Sequence, residues 1–221
     1  MSPAVLRTDA DSAVADVFDG ATVMVGGFGL AGLPAVLLDA LLDQGARELT
    51  VISNNAGAGD DPLEELIASA RVRRIICSFP RSVGSVAFEQ RYRAGEIELE
   101  LVPQGTLSER IRAGGSGVPA FFTPTGAGTT LAEGKEERMF DGGPCVLESS
   151  LRADFALISA ARADAYGNLV YSKAGRNFGP IMAAAASTTI VQVREMAGEP
   201  IDPEVVVTPG VFVDRVVEVG G

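Results

Sequence analysis

The residues best placed to do chemistry in this chain are uncharged amides and bare backbone. Ser53-Asn54-Asn55-Ala56-Gly57 follows one run of β-suited residues, and Val102-Pro103-Gln104-Gly105 follows another. Each segment alone reads as a turn or an ordinary surface amide. Together, beyond the ends of neighbouring strands, Asn54 and Gln104 are candidate hydrogen-bonding groups for one ligand. The third element is Asp19 to Pro34, D-G-A-T-V-M-V-G-G-F-G-L-A-G-L-P, with four glycines in the seven residues 26–32. Glycine tolerates positive φ and close backbone approach, so N–H groups from Gly26, Gly27, Phe28, Gly29, Leu30, Ala31 and Gly32 can point at a bound group. Such a set suits stabilisation of developing negative charge on a carbonyl oxygen.

Other chemistries are excluded by composition. The chain has no histidine, so Ser–His and Cys–His catalysis and histidine-ligated metals are ruled out within it. Its two cysteines, Cys77 and Cys145, lie far apart in apolar settings and read as buried free thiols of a reducing cytoplasm. No metal site is expected. A net charge of −11 argues against a nucleic-acid backbone as partner. Arg7, Asp9 and Asp11 interrupt any apolar leader. Residues 20–38 carry no charge, but the five glycines and one proline among them favour strand, loop and helix over a membrane span. A cytoplasmic protein is the expectation.

Gly27 to Gly32 also spells G-x-G-x-x-G. A dinucleotide site expects an acidic residue at the end of the next strand. Here that strand ends Ser53-Asn54-Asn55, which disfavours the reading.

The elements that must position these groups alternate. Strands are predicted at 22–25, 49–52, 74–77, 97–102, 145–148, 155–158, 169–171, 188–193 and 211–217. Helices are predicted at 12–18, capped by Asp9 or Asp11, and at 34–42, 63–70, 86–93, 106–113 and 177–186. The helix at 34–42 carries Val36, Leu37, Leu41 and Leu42 on its apolar face, and a capping box, Thr106 to Glu109, opens the one at 106–113. Residues 114–134 read as a long irregular loop, and Glu96, Glu98 and Glu100 as the wet face of a strand. The alternation implies an α/β fold with an open, mainly parallel sheet flanked by helices, here as one domain over 1–221.

The pattern of Asp19 to Pro34 resembles the signature of family I coenzyme A transferases, as carried by their A-type subunits, and fits it at every defined position. S-N-N-A-G at 53–57, V-P-Q-G at 102–105 and A-G-R-N-F at 174–178 resemble further family elements, although the family mostly carries Ala where Gly175 stands. The likeness covers nearly the whole chain. It implies the open α/β fold shared by CoA transferases and some sugar-phosphate isomerases. It also implies coenzyme A as co-substrate, with no permanently bound cofactor. Asn54 and Gln104 would orient the reacting acyl group, and the loop Gly26 to Gly32 would line the acyl and CoA site, with Phe28 against the substrate. Arg176 would meet a phosphate or carboxylate, or bridge a subunit contact.

The family's nucleophilic glutamate stands in an S-E-N-G segment, and no Glu-Asn-Gly occurs here. The resemblance therefore implies a B-type partner subunit carrying it, in an A2B2 hetero-oligomer. The acceptor implied is a 3-oxoacid. Cys77-Ser78-Phe79-Pro80-Arg81 resembles the 3-oxoadipate members more than the acetoacetate members, with succinyl-CoA as donor and Arg81 on the distal carboxylate. A close relative using acetoacetate is the alternative. A non-catalytic sugar-phosphate sensor of the same fold is a third reading, disfavoured by the acidic charge and by the lack of a preceding DNA-binding segment.

Overall fold

The computed structural model describes residues 6–82 and 84–220. The first half of the chain alternates strictly between strands and helices. β1 (Leu6–Arg7) and α1 (Ala10–Val14) lead into β2 (Thr22–Val25), α2 (Ala35–Gln44), β3 (Leu49–Ser53) and α3 (Pro62–Ala68). Then come β4 (Val72–Cys77), α4 (Ala87–Arg93), β5 (Glu98–Leu101) and α5 (Gln104–Gly115). The second half contributes β6 (Ala120–Thr123), β7 (Glu137–Phe140), β8 (Gly143–Ser149), β9 (Ala153–Ala163), β10 (Leu169–Val170), α6 (Gly179–Ala185), β11 (Ala186–Met196) and β12 (Arg215–Glu218).

Nine strands form one sheet, in the order β1-β12-β11-β9-β2-β3-β4-β5, with β10 paired antiparallel to β9. Every other pairing in that sheet is parallel. A parallel sheet needs cover on both faces, and the sequence supplies it by alternation. Val23, Val25, Leu49, Val51, Phe155 and Leu157 point to one core, with Leu37, Leu41, Leu66 and Phe88 of α2, α3 and α4. Met24, Ile52, Ala156 and Ile158 point to the other, with Leu107 and Ile111 of α5 and Met182 of α6.

The elements differ from the sequence expectation in several places. α1 begins before Ser12, because the Asp9 carboxylate accepts from the Ser12 N–H at 2.8 Å. In α2, Val36 is exposed while Leu37, Leu38, Ala40 and Leu41 are buried. α5 starts two residues before Thr106, so there is no capping box; the Thr106 hydroxyl is buried inside the helix without a partner.

The expected loop 114–134 contains β6, part of a separate three-stranded antiparallel sheet, β6-β8-β7. The other outer strand of that sheet, β7, is fully exposed, so neither carries the apolar run that marks a core strand. A 3₁₀ turn, Gly210–Phe212, replaces the start of the expected last strand, with Val211 pointing outward.

Glu100 is half-buried between Arg74 at 2.5 Å and Arg110 at 2.6 Å, not on a wet face. Glu148 is 3% exposed and bound to Lys135 at 2.5 Å. These pairs fasten the small sheet to α5 and β5. Cys145 is only part-buried, unlike Cys77.

Candidate active site

The glycine segment leaves β2 at its carboxyl end and makes a small hairpin. Phe28 N–H donates to the Ala31 carbonyl at 3.0 Å, and Ala31 N–H returns to the Phe28 carbonyl at 3.2 Å. Gly29 and Leu30 form the tip, with Gly29 at φ +57, as a turn with glycine first requires. The hairpin uses up donors that the sequence offered to a ligand. Gly26 N–H goes to the Leu157 carbonyl at 2.9 Å, and Gly27 N–H to Asn177 Oδ1 at 2.9 Å. The N–H groups of Gly29, Leu30 and Gly32 are those with no acceptor among the described residues.

Two distant side chains hold this segment. Asn177 Oδ1 accepts from Gly27 N–H and, at 2.7 Å, from Phe178 N–H. Its Nδ2 donates to the carbonyls of Ala31 at 3.1 Å and Gly175 at 3.0 Å. The loop and the Asn177 segment touch so closely that a Cβ on Gly32 would lie 2.5 Å from Asn177 Nδ2. Further on, Pro34 opens α2 with no side-chain cap. Gln192 of β11 fills that role: its Oε1 accepts from Val36 N–H at 3.0 Å and Leu37 N–H at 3.3 Å.

The strand-end amides do converge. Asn54 Oδ1 accepts from Gln104 Nε2 at 2.8 Å and from the Ser78 hydroxyl at 2.7 Å. Asn54 Nδ2 and Gln104 Oε1 are left without partners among the described residues. A pocket of about 460 Å³ forms where they meet, lined by Asn54, Gln104, Phe28, Ser78, Phe79 and Ser82, together with Gly29 and Asn55. Phe28 and Phe79 are 53% and 61% exposed, so the apolar rim is open on one side.

The other expected residues lie apart. Leu30 lines a neighbouring hollow beside Asp60 and Asp61, and Ala31 and Gly32 line a cavity on the far side of the hairpin. Arg81 is outside the lining. Its guanidinium is exposed and bonded to Glu89 at 2.9 Å, and Glu89 also pairs with Arg93. Ser78, Phe79 and Asn177 stand in segments that the sequence singles out, but their partners are invisible there. The nearest of those partners is Asn54, 24 positions from Ser78, and Gly27 lies 150 positions from Asn177.

The pocket offers donors and acceptors but no nucleophile. None of its lining residues is a carboxylate, cysteine or lysine. The buried acids are occupied in structural roles. Asp61 caps α3 through Glu64 N–H at 2.8 Å. Glu64 accepts from Val86 and Ala87 N–H at the start of α4. Asp164 takes the N–H groups of Tyr166, Asn168 and Ile201, and Glu148 is ion-paired. Burial pushes the Cys77 thiol up to about 12, so it is no thiolate at neutral pH. No group of three or more potential ligands fit for a metal occurs among the described residues.

The coenzyme A transferase family model matches residues 7–219. The chain belongs to that family. This CoA transferase chain is 59% identical over 212 residues to the A-type subunit of a 3-oxoadipate CoA-transferase of Pseudomonas putida, spanning 95% of the chain and 91% of the relative. It is 52% identical over 212 residues to the A-type subunit of a succinyl-CoA:3-ketoacid coenzyme A transferase of Xanthomonas campestris pv. campestris, spanning 95% and 86%. Its fold matches an acyl-CoA transferase from E. coli O157:H7, solved as a thioester complex with CoA. The TM-score is 0.87 at 22% identity, covering 99% of this chain and 51% of that one. The CoA transferase assignment makes this an enzyme chain, and the α/β architecture expected from its strand–helix alternation is the one found. No helix among the described residues is long and apolar enough to cross a membrane.

Proposed function

We propose that the chain is the A-type subunit of a 3-oxoacid CoA-transferase that moves CoA from succinyl-CoA to 3-oxoadipate, with the nucleophilic glutamate on a B-type partner in an A2B2 assembly. The observation that carries this is the open pocket at Phe28, Asn54 and Gln104, which holds fixed amides and an apolar rim but no carboxylate. The relatives are named as one of two subunits, which supports the split, and so does the E. coli chain, of which this one spans 51%.

In this reaction the partner's carboxylate attacks the thioester carbonyl carbon. The C–S bond breaks, CoA leaves as thiolate, and an acyl anhydride forms. The thiolate then attacks the glutamyl carbonyl, releasing succinate and leaving a glutamyl-CoA thioester. The acceptor acid repeats the sequence in reverse. Asn54 Nδ2 and the free N–H groups of Gly29 and Leu30 are the donors for the oxyanion of each tetrahedral step. Gln104 holds Asn54 in place, and Phe28 and Phe79 become the dry wall of the site once the partner covers them. The two free cysteines fit a reducing cytoplasm.

Purified alone, the chain is expected to show no transferase activity, and mixing with the B-type partner restores it. Borohydride trapping of the enzyme–CoA thioester followed by peptide mapping locates the modified residue. A glutamate of this chain carrying the modification sinks the split-site reading. The acetoacetate alternative has an observation of its own: Arg81 is already held by Glu89, which leaves no free cation for a distal carboxylate at the pocket.

A further inference from the structure

A second cavity lies on the other side of the glycine hairpin. The chain runs outward from β2 to β5 and then returns to β9 on the opposite side, so the strand order reverses between β2 and β9. In open parallel sheets, the crevice beyond the carboxyl ends at such a reversal is where ligands bind. β9 pairs with β2 only as far as Leu157, yet continues to Ala163. Its last residues therefore run past the end of β2, where the glycine segment folds away. A cavity of about 380 Å³ opens there, and it shares no lining residue with the pocket at Asn54.

Its chemistry is cationic. Lys173 and Arg194 line it, with no aspartate or glutamate. Neither forms an ion pair among the described residues. In a chain of net charge −11, two unpaired cations in one acid-free hollow run against the average field. Ser159 and Ser172 add hydroxyls to the lining, and Gly32 adds an N–H with no acceptor among the described residues. The loop that brings Lys173 here is not relaxed: Lys173 sits at φ +49, a conformation that side-chain-bearing residues rarely adopt. Such positions cluster at ligand clamps.

We propose that this cavity is a phosphate site, with Lys173 and Arg194 as its charged ligands and the serine hydroxyls and Gly32 N–H as neutral donors. Two cations and several donors match a dianion with three terminal oxygens, where a carboxylate would use one cation. The phosphate has two sources: the phosphorylated end of the acyl-CoA, which rests on the transferase reading above, or free phosphate, which does not.

Calorimetric titration of inorganic phosphate into the native protein, at constant ionic strength, is expected to show one saturable site per chain. Arg194→Gln, which leaves the strained loop untouched, weakens it by about tenfold. The double change with Lys173→Gln abolishes it. No saturable site in the wild type, or an equal response from wild type and both variants, overturns the proposal. Kinetics of the assembled enzyme with succinyl-CoA and its 3′-dephospho analogue then assign the source. If the co-substrate supplies the phosphate, Arg194→Gln raises KM for succinyl-CoA with kcat unchanged and leaves KM for the analogue alone. If free phosphate does, both values of KM stay put while the calorimetric site weakens. Weaker association with the B-type partner in Arg194→Gln, with no phosphate site in the wild type, assigns the cavity to an acidic side chain of that partner and overturns the proposal. An inactive wild-type complex sinks the transferase reading and leaves the calorimetric result standing.

Discussion

Asn177 Oδ1 accepts the Gly27 N–H at 2.9 Å, across 150 positions of sequence. That bond, with its companions at Phe178, Ala31 and Gly175, fixes the hairpin whose free N–H groups face the substrate. Asn177→Ala removes all of them. A net loss of roughly 1 kcal/mol per bond puts the stability cost at about 1–3 kcal/mol. Misplacing donors by an ångström is worth ~100-fold in rate, so kcat should fall by at least tenfold in an enzyme that still assembles. Asn177→Asp keeps the acceptor for Gly27 and should retain more activity than the alanine. Urea denaturation and steady-state kinetics on both variants check this; wild-type kcat in Asn177→Ala would show that the hairpin holds itself.

Two glycines across the same contact should behave oppositely. A Cβ on Gly32, at φ +72, would lie 2.5 Å from Asn177 Nδ2 and 2.6 Å from the Gly175 carbonyl oxygen. A Cβ on Gly175 would meet only the Gly32 Cα, at 4.0 Å. Gly32→Ala should therefore displace the 172–177 loop and cut activity. Gly175→Ala should be neutral or stabilise by about 0.4–1 kcal/mol, because it narrows the unfolded chain without strain. Thermal melts of the pair decide it, and equal losses in both would contradict the geometry.

The same contact shows how far the sequence could be read. The glycine segment, Asn54 and Gln104 were legible, because strand, turn and helix signals are local and place those residues beyond strand ends. Asn177 stood in a recognisable segment, yet its role depends on a partner half a chain away, and nothing local encodes that pairing. The same holds for Gln192 as the cap of α2. The small sheet was missed for another reason. β6 is only part-buried and β7 is exposed, so neither shows the apolar period that marks a strand. Glu100 was misplaced because its alternation with Leu99 and Leu101 describes a wet face just as well as one covered by arginines.

Asn54 is held by two donors, and its Nδ2 is left for the reaction. Asn54→Ala and Gln104→Ala should each lower kcat more than they raise KM, since the interaction strengthens only as charge develops. Loss of one such donor costs on the order of 100-fold in kcat. Ser78→Ala, which loosens Asn54 without removing it, should fall between these and the wild type. A pure KM effect in Asn54→Ala would reassign the residue to ground-state binding.

Arg81 tests the acid. To hold the distal carboxylate of 3-oxoadipate it must give up Glu89, a surface pair worth ~0–1 kcal/mol and so easily exchanged. If it does, Arg81→Ala reduces kcat/KM for 3-oxoadipate far more than for acetoacetate, and Glu89→Gln favours 3-oxoadipate by freeing the guanidinium. Equal losses on both acids remove Arg81 from specificity.

Glu100 makes acid stability a readout of how the small sheet is fastened. Burial alone would raise its carboxyl above the ordinary 4.5, but hydrogen bonds and charge from Arg110 and Arg74 outweigh it and hold the group below that value. A carboxyl lowered in the folded state stabilises fully above its unfolded pKa, and the contribution fades as pH falls through the folded value. Wild-type stability at neutral pH should therefore exceed that of Glu100→Gln by roughly 1–3 kcal/mol. The gap should close below about pH 4, where both chains carry a neutral side chain facing Arg110. Arg110 also donates to the Ser149 carbonyl at 2.7 Å, at the end of β8, so the variant should loosen the small sheet first. Hydrogen exchange at β6 and β8 then rises before exchange in β2 and β3. Parallel stability curves for the two proteins across the acid range would show that Glu100 contributes nothing through its charge.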